Sequence, residues 1–496
     1  MQITLISPYP DITAFGVRTL SAHLRNHGVA TRLLFMPDHL NDDIVDGVLR
    51  YRDDVLEQMV ELCRDSDLIG ISLMTNFFDG AVQMTRKLKE RLDIPVLWGG
   101  VHPTIRPEEC LDYADLICIG EGEDAFVELV GKMERGDPYD DTVNLWLKDG
   151  DRLIKNRLSP LPADLDCYPM PDYSLEDHHV MIGNSIVKLT HEIMESFLAR
   201  GTVARYLGKT GYQTMTSRGC PYNCTYCINH TIKQMYGGKG KLRWRSVEGV
   251  IKELVWVKEH MPYVDYIWIS DDEFMARRTD EILDFCRRYK EEIDLPFSCL
   301  ISAISVTEEK MAALVDAGLI YVQMGVESGS VDMQELFKRK HINNERMMKA
   351  IHIINQFKDR MHSPSYDFLL DVPGESDQDR LASLRFIADI PKPYRLQPFT
   401  LIPYPGTYLY DLAKQKGLIK DDRKEIYNKT YTMHAQDYLN LLFSLAKGGR
   451  FPAPLLRFCI SAPMVFVLNS RVMKPVIKMV FSGTRTLYRA LKGTAA

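Results

Sequence analysis

The stretch QTMTSRGCPYNCTYC, residues 213–227, places three cysteines directly after an apolar run that predicts a β-strand. Cys220, Cys224 and Cys227 stand at spacings of four and three, so that one short loop carries three thiols. A cubane iron–sulfur cluster is normally held by four cysteines, and three local ligands leave one iron open to chelate a substrate or cofactor. Structural zinc prefers four closed ligands. Because His230 could supply a fourth, zinc stays the alternative metal.

Strand-length apolar runs alternate with helical patterns through the rest of this region. Six parallel strands with helical crossovers predict a partial (β/α)6 barrel over residues 213–415, with its active site at the carboxyl ends of the strands. The predicted strands are 213–217, 265–270, 296–302, 321–327, 366–372 and 395–403, and the predicted helices are 246–260, 279–290, 307–317, 343–357 and 376–388.

The same alternation predicts a Rossmann-like α/β domain over residues 1–135. Small residues follow its predicted strands, and such residues let backbone approach a large ligand closely, although ordinary turns explain them equally well. The predicted strands are 2–6, 30–36, 67–72, 95–98 and 115–119, and the predicted helices are 15–28, 44–63, 77–91 and a stretch after Glu121.

Two further regions differ from these domains in amino-acid composition. Residues 136–212 contain a proline-rich stretch and predict a linker with a helical excursion in 176–212. Residues 416–496 predict a mainly helical, basic C-terminal region. No acidic residue follows Asp437, and nine basic residues lie from Lys447 onward. Because the net charge of the whole chain is −6, the residues before Lys447 carry a net charge of −15.

Basic and apolar residues mixed in this way are compatible with two arrangements. The region either lies on an anionic membrane surface as a peripheral contact or packs on the barrel as a helical subdomain. The apolar run 458–469 is too short to span a bilayer.

Overall composition excludes several classes of protein. Hydrophobic residues make up 45% and charged residues 26% of the 496 residues, which excludes a disordered chain, a collagen-like repeat and a polytopic membrane protein. The net charge of −6 gives no reason to expect a nucleic-acid partner. Ten cysteines are too few for a disulfide scaffold, and MQITLISPYP lacks a signal-peptide pattern, so we expect a cytoplasmic protein.

The motif CxxxCxxC after the first barrel strand resembles the radical S-adenosylmethionine (radical SAM) superfamily. The resemblance implies that the three cysteines hold a [4Fe-4S] cluster whose open iron chelates SAM. One electron, from a donor such as flavodoxin or ferredoxin, then cleaves SAM to methionine and a 5′-deoxyadenosyl radical. The strand 296–302 lacks a basic residue often found there. By the same resemblance, SAM is contacted by Tyr226, Asp272, Glu273 and Glu327.

A Rossmann-like domain ahead of such a barrel resembles the cobalamin-binding (B12-binding) class of that superfamily. Many cobalamin proteins carry Asp-x-His-x-x-Gly after the first strand, but here Thr13 replaces the histidine, so the resemblance implies a cobalt without a lower histidine ligand. A domain that keeps the fold without the cofactor is the alternative. The cobalamin contacts implied are Thr13, Ser72, Gly99, Gly100, His102, Gly120, Glu121 and Gly122.

The expected reaction is methyl transfer to an unactivated carbon of a small, hydrophobic or lipid-like molecule. Radical cyclisation or oxidation of a porphyrin-like or lipid substrate is the alternative within the class. An RNA-modifying methylthiotransferase would need a C-terminal β-barrel and further cluster cysteines, which the sequence lacks. A non-enzymatic zinc or iron–sulfur protein is the last alternative. No motif identifies the substrate or a catalytic residue for it.

Overall fold

A computed structural model describes residues 1–38, 50–238, 242–429 and 435–481. The chain falls into two compact units. Unit 1 comprises residues 1–219, 228–268 and 404–430, and unit 2 comprises residues 220–227, 269–403 and 431–496. Among the described residues, no helix has the length and apolarity that crossing a membrane requires.

Unit 1 is built on a parallel sheet of buried apolar strands. These strands are β1 (Gln2–Ser7), β2 (Ala30–Phe35), β3 (Leu68–Ser72), β4 (Val96–Gly99) and β5 (Leu116–Cys118). The helices between and after them are α1 (Phe15–Asn26), α2 (Asp53–Cys63), α3 (Phe78–Arg91), α4 (Val101–Ile105), α5 (Pro107–Cys110) and α6 (Glu123–Arg135).

The order of these strands, β5-β4-β3-β1-β2 with all pairs parallel, confirms the Rossmann-like prediction. In a doubly wound sheet the loops at the carboxyl ends of the strands form the ligand-binding edge. The predicted helix 44–63 is confirmed as α2 from Asp53 onward. It is wrong at residues 50–52, which are not helical, and residues 44–49 lie outside the described residues.

The predicted linker, residues 136–212, contributes strands as well as helices, which the sequence analysis missed. Its strands are β6 (Leu145–Asp149), β7 (Arg152–Lys155), β8 (His178–Ile182) and β9 (Ser185–Lys188). They extend the sheet at both edges, in the order β7-β6-β5 on one side and β2-β8-β9 on the other. The helical excursion is confirmed as α7 (His191–Leu198) and α8 (Thr202–Leu207).

The predicted first barrel strand, 213–217, is wrong in its bounds. The chain forms β10 (Gly211–Thr214) and then a separate β11 (Ser217–Gly219), which pairs antiparallel with β12 (Leu242–Trp244). Helix α9 (Asn229–Met235) lies between β11 and β12, and α10 (Val247–His260) and β13 (Tyr266–Ile269) follow.

The second sheet has six strands in the order β10-β13-β14-β15-β16-β17 and is open. Its last four strands belong to unit 2: β14 (Phe297–Ile301), β15 (Leu319–Glu327), β16 (Ser365–Leu370) and β17 (Arg395–Thr400). Neighbouring pairs among these four are parallel, as a partial (β/α)6 barrel requires. Their helices are α11 (Thr279–Arg288), α12 (Glu308–Asp316), α13 (Val331–Leu336), α14 (Asn344–Asn355) and α15 (Asp377–Asp389).

The mainly helical region predicted over 416–496 is confirmed where the structure describes it, and residues 430–434 and 482–496 lie outside the described residues. The helices after the last barrel strand are α16 (Tyr408–Gln415), α17 (Tyr438–Ala446), α18 (Ala453–Cys459) and α19 (Ala462–Leu468), and residues 474–481 are also helical. Short 3₁₀ turns lie at Thr75–Phe77, Leu165–Cys167 and Phe274–Ala276, and π-helical segments lie at Tyr289–Ile293 and Arg423–Tyr427.

Candidate active site

The cysteine loop opens unit 2 directly after Gly219, whose φ of +91° is favourable only for glycine. Two hydrogen bonds fix the loop to the end of α13: the Thr225 hydroxyl donates to the Leu336 carbonyl at 2.8 Å, and the Thr225 amide to the Phe337 carbonyl at 3.3 Å. Cys224 is buried, and Cys220 and Cys227 are partly exposed. Burial raises the pKa of the Cys220 thiol to about 12, so a bound metal must displace its proton.

Arg339 is a buried cation beside this loop that the sequence analysis missed. One guanidinium nitrogen lies 3.8 Å from the Cys224 sulfur and donates to the Tyr226 hydroxyl at 3.2 Å. The other donates to the Gly325 carbonyl at 2.8 Å. Burial alone would lower the pKa of Arg339, but Tyr226 and Glu327 hold it above its ordinary value. Arg339 therefore carries a fixed positive charge next to one predicted cluster ligand.

Glu327 lies where β15 ends, in a left-handed conformation with φ of +67°. A methyl group at Gly325 would meet its carboxylate, so the glycine leaves the space into which the Glu327 side chain folds. Burial raises the pKa of Glu327, while Arg339 and a hydrogen bond from Tyr226 oppose that rise. The structure thus brings two predicted SAM contacts, Tyr226 and Glu327, together through Arg339.

Glu273 follows β13 and is fully buried. One of its carboxylate oxygens accepts from the Ser305 hydroxyl at 2.7 Å, and the other has no hydrogen-bond partner among the described residues. Burial raises its pKa to about 7. A buried carboxylate oxygen without a donor can accept a hydrogen bond from the amino group of a ligand such as SAM. Asp272, by contrast, is exposed.

Asp367 on β16 is a buried acidic residue that was not predicted from the sequence. Its carboxylate accepts from the Gln323 amide at 2.7 Å, and its other oxygen is buried without a hydrogen-bond partner in the described part of the chain. Burial, with Glu327 as a smaller contributor, raises its pKa well above the ordinary value. In the parallel register Asp367 pairs with Gly325, so it shares a face of the sheet with that glycine.

In unit 1 the predicted cobalamin contacts lie at the carboxyl ends of the strands or in the segments that follow them. Ser72 pairs with Gly99 at the ends of β3 and β4, and the Leu73 amide donates to the Gly99 carbonyl at 3.0 Å. Gly100 has φ of +97°, and a methyl group there would lie 2.8 Å from the Leu73 carbonyl oxygen. The close approach of the two loops therefore requires glycine at position 100.

Ser7, which ends β1 between β2 and β3 on the same edge, has a buried hydroxyl with no hydrogen-bond partner among the described residues. An unpartnered hydroxyl at the central strand of this edge fits a polar ligand there, such as the amide groups of a corrin. Ser7 was not predicted from the sequence, because it reads as the last residue of an apolar strand. Thr13 is held locally, since its amide donates to Asp11 at 2.9 Å.

His102 is fully buried among aromatic rings, with the Phe78 and Tyr427 ring centres 4.9 and 5.1 Å from its own. Its Nδ1 shares a hydrogen bond of 3.1 Å with the Thr75 hydroxyl. Burial, with Arg106 nearby, lowers its pKa to about 3, so the ring is neutral. The structure thus places the His102 side chain in the packing beneath the loop.

The loop after β5 is held by two arginines. Glu121 forms ion pairs with Arg218, at 3.0 Å, and with Arg243. Arg218 also pairs with Glu123 at 2.5 Å. Burial alone would lower the pKa of Arg218, but Glu123 and Glu121 hold it above its ordinary value. The Glu121 carboxylate is therefore engaged by the protein, and it fixes this loop to the strand that leads into the cysteine motif.

Gly120 and Gly122 complete this loop. Gly120 has φ of +77°, and a methyl group there would collide with the Tyr236 hydroxyl, which accepts from the Glu121 amide at 3.3 Å. A methyl group on Gly122 would lie 3.3 Å from the Cys118 sulfur.

Across the described ranges, no group of three or more His, Cys, Asp or Glu side chains is arranged to hold a single metal ion.

Two protein-family models match the chain. The model of the B12 binding domain matches residues 1–130, and the model of the radical SAM superfamily matches residues 214–387. The matches fall on the predicted Rossmann-like domain and on the predicted barrel.

Three curated relatives have similar length. An uncharacterized methyltransferase of Pyrococcus horikoshii is 29% identical over 366 residues, which cover 72% of this chain and 71% of the relative. The bacteriochlorophyllide d C-8(2)-methyltransferase of Chlorobaculum tepidum is 26% identical over an alignment that covers 76% of this chain and 75% of the relative. The anaerobic magnesium-protoporphyrin IX monomethyl ester cyclase of Synechocystis is 25% identical over an alignment that covers 75% of this chain and 68% of the relative.

The fold is also similar to a solved structure. The radical S-adenosylmethionine methyltransferase TsrM from Kitasatospora setae, with tryptophan substrate and a SAM analogue bound, superposes with a TM-score of 0.64. The match covers 84% of this chain and 76% of that chain at 15% identity, a level at which the likeness is one of fold.

Proposed function

Because the chain combines a B12-binding domain with a radical SAM domain and so belongs to the cobalamin-binding radical SAM enzymes, we propose that it transfers a methyl group to an unactivated carbon. Its cofactors are a [4Fe-4S] cluster, SAM and cobalamin. When bound, these groups supply one-electron cleavage of SAM to a 5′-deoxyadenosyl radical and a transferable methyl group. The observation that carries the proposal is the three-cysteine loop with its buried Arg339 and the partnerless oxygen of Glu273.

The residues of the chain have distinct parts in this proposal. Cys220, Cys224 and Cys227 hold the cluster, and Arg339 donates toward the Cys224 sulfur. A cation at that place stabilises negative charge on the thiolate and its metal. Glu273 accepts a hydrogen bond from the amino group of SAM once its carboxyl is ionised. Glu327 and Tyr226 bind the remainder of SAM, because Arg339 and Gly325 fix their positions.

In unit 1 the loops that end β3, β4 and β5 hold the corrin. Their close packing, imposed at Gly100 and Gly120, makes a preformed edge for a large ligand. Ser72, Gly99, Glu121 and Gly122 belong to the same strand ends, His102 follows in α4, and Thr13 contributes from the loop after β1. The ion pairs of Glu121 with Arg218 and Arg243 give it a positioning part.

The substrate in this proposal is a small hydrophobic or lipid-like molecule. The electron comes from a cytoplasmic donor of the flavodoxin or ferredoxin type, and the enzyme works in the cytoplasm with a peripheral contact at the inner face of the membrane. The support is the basic, apolar C-terminal region and the similarity to an enzyme named for methylation of a bacteriochlorophyllide.

Radical cyclisation or oxidation of a porphyrin-like or lipid substrate is the second candidate, because a magnesium-protoporphyrin cyclase matches a similar share of the chain. The two candidates use the same cluster and differ in the fate of the methyl group. Consumption of SAM without methyl transfer would favour the second.

Metal and cofactor analysis tests the common part of both candidates. We expect anaerobically reconstituted protein to hold about four irons per chain, as one cubane requires, and to retain cobalamin. The Cys220→Ala/Cys224→Ala/Cys227→Ala variant should lose the iron and keep the cobalamin. The matched control Cys63→Ala/Cys286→Ala, which alters two buried cysteines elsewhere, should keep both. One zinc and no iron in the wild type would end the proposal.

A further inference from the structure

The C-terminal region of unit 2 exposes an unusual number of large apolar side chains. Of the fifteen such side chains exposed among the described residues, nine lie between Leu445 and Val480. Single exposed apolar residues are ordinary, but a contiguous group marks an interaction surface. We call the following group the C-terminal face: Leu455, Phe458, Phe466, Val467, Val472, Val476, Met479 and Val480.

The opposite side of the same region is firmly packed. In α17, Leu439, Leu442 and Phe443 are buried, and in α18 Leu456 is buried. Arg457 donates to Asp389 at 2.6 Å, and Asn469 donates to Asp377 at 2.7 Å. The helices are therefore held in place by one side while the C-terminal face points to solvent.

The exposure of the C-terminal face is greatest in α19 and in the helix that follows. Phe466 and Val472 are each 83% exposed, and no residue of α19 is buried. Val472, Val476, Met479 and Val480 recur at the spacing of one helical stripe. Only Ile477, between them, is buried. Such a stripe is typical of a helix that lies on an apolar phase.

The charge around the C-terminal face is of one sign. Six basic residues lie in the same segments of the chain, Lys447, Arg450, Arg457, Arg471, Lys474 and Lys478, and no acidic residue follows Asp437. Within the described ranges, Arg457 is the only one of these six that forms an ion pair. Asp437 itself is paired with Arg380 at 2.6 Å. Apolar side chains in a segment rich in basic residues without ion pairs are complementary to a surface that is both apolar and anionic.

We propose that the C-terminal face docks on a bilayer of anionic lipid, lying in the headgroup layer without crossing it. A second copy of the chain is a poor occupant, because pairing two such faces would bring like charges together. The inference rests on the peripheral contact in the proposed function and names the residues that make it. Docking does not require turnover, so binding to vesicles and SAM chemistry fail independently of each other.

Vesicle co-sedimentation of the cobalamin-loaded, reconstituted full chain tests this. We expect binding to vesicles of equal parts phosphatidylcholine and phosphatidylglycerol, and little binding to phosphatidylcholine alone. Each basic residue near an anionic surface contributes up to roughly a factor of five in partition, so Lys474→Gln/Lys478→Gln should bind more weakly than the wild type, by up to about 25-fold. The control Lys252→Gln/Lys258→Gln, on exposed residues of α10, should bind like the wild type.

The apolar part is tested by Phe458→Ser/Phe466→Ser, which should bind at least about tenfold more weakly because two large side chains no longer enter the bilayer. Leu418→Ser, an exposed residue outside the face, is its control. Both lysine and phenylalanine variants should melt like the wild type. Equal binding to both vesicle types, or a wild-type dimer that Phe466→Ser converts to monomer without any vesicle binding, would overturn the proposal.

Discussion

Replacing Arg339 by methionine removes the buried positive charge beside the cysteine loop while keeping a side chain of similar reach. The guanidinium donates to the Tyr226 hydroxyl at 3.2 Å and to the Gly325 carbonyl at 2.8 Å, and methionine can make neither bond. A methyl group on Gly325 would lie 3.2 Å from the Glu327 carboxyl carbon and 3.9 Å from an Arg339 nitrogen. The Glu327 carboxyl carbon and that nitrogen are therefore within about 7 Å of each other.

The cost of this change has two parts. Losing a hydrogen bond from a charged donor costs about 1.5–3 kcal/mol, and for the two bonds together the desolvation penalty that methionine no longer incurs offsets part of the sum, which leaves about 1.5–3 kcal/mol. Losing the attraction between Arg339 and Glu327 costs about 2 kcal/mol, taking an effective dielectric constant of about 20 over roughly 7 Å. Arg339→Met should thus destabilise the enzyme by about 3–5 kcal/mol, in the range found when one partner of a buried pair is removed. In a Glu327→Gln background the second part vanishes, so the same change should cost about 2 kcal/mol less.

Anaerobic urea unfolding of the four proteins of this double-mutant cycle measures the difference. The pH dependence adds an independent check. Burial already raises the pKa of Glu327, and without Arg339 it rises further, so the folded variant binds a proton that the unfolded chain releases. Arg339→Met should therefore lose stability relative to the wild type as the pH rises above the ordinary glutamate range. Additive single-variant costs, with no difference in pH dependence, would refute the reasoning.

Two more outcomes follow from the site. Gly120→Ala should lower both the melting temperature and the cobalamin content, because its methyl group would collide with the Tyr236 hydroxyl. The control is Gly136→Ala, where φ is +68° but no other atom lies near the added methyl group, so the variant should lose only about 1 kcal/mol of stability to backbone strain. Cobalamin content equal in both variants would contradict this. The affinity for SAM should rise as the pH passes through about 7, since burial places the pKa of Glu273 there and the ionised form accepts hydrogen bonds from the amino group of SAM. Glu273→Gln should bind SAM more weakly, with a flat pH profile in calorimetry. An unchanged profile would remove Glu273 from the site.

The parallel strands of both sheets were predictable because each is a short apolar run with a buried pattern. In β1, for example, every residue after Gln2 is buried. Strands β7 and β9 were missed because both are four residues long and have no buried residue. The position of β8 rests on Asp172, which accepts from Ser21 at 2.7 Å and lies 3.2 Å from the His178 ring nitrogen. Contacts across 151 residues leave no local pattern.

The site was predictable where spacing along the chain carries the chemistry, as at the three cysteines. It was not predictable where a single side chain reaches back from a distant loop. Arg339 lies 115 residues from Cys224 and belongs to no motif. Gly325 reads as an ordinary turn residue, and only the folded Glu327 side chain shows why a glycine stands there. His102 was expected from its loop position, but its side chain is turned into the aromatic packing.

The measurement that tests the central claim most directly is product analysis of SAM consumed by the anaerobically reconstituted, cobalamin-loaded enzyme with a one-electron reductant. Our account predicts both 5′-deoxyadenosine and S-adenosylhomocysteine, and neither from the variant without the three cluster cysteines. Deoxyadenosine alone would contradict methyl transfer and favour the cyclase-like reaction. A wild-type enzyme that leaves SAM intact would contradict the account as a whole.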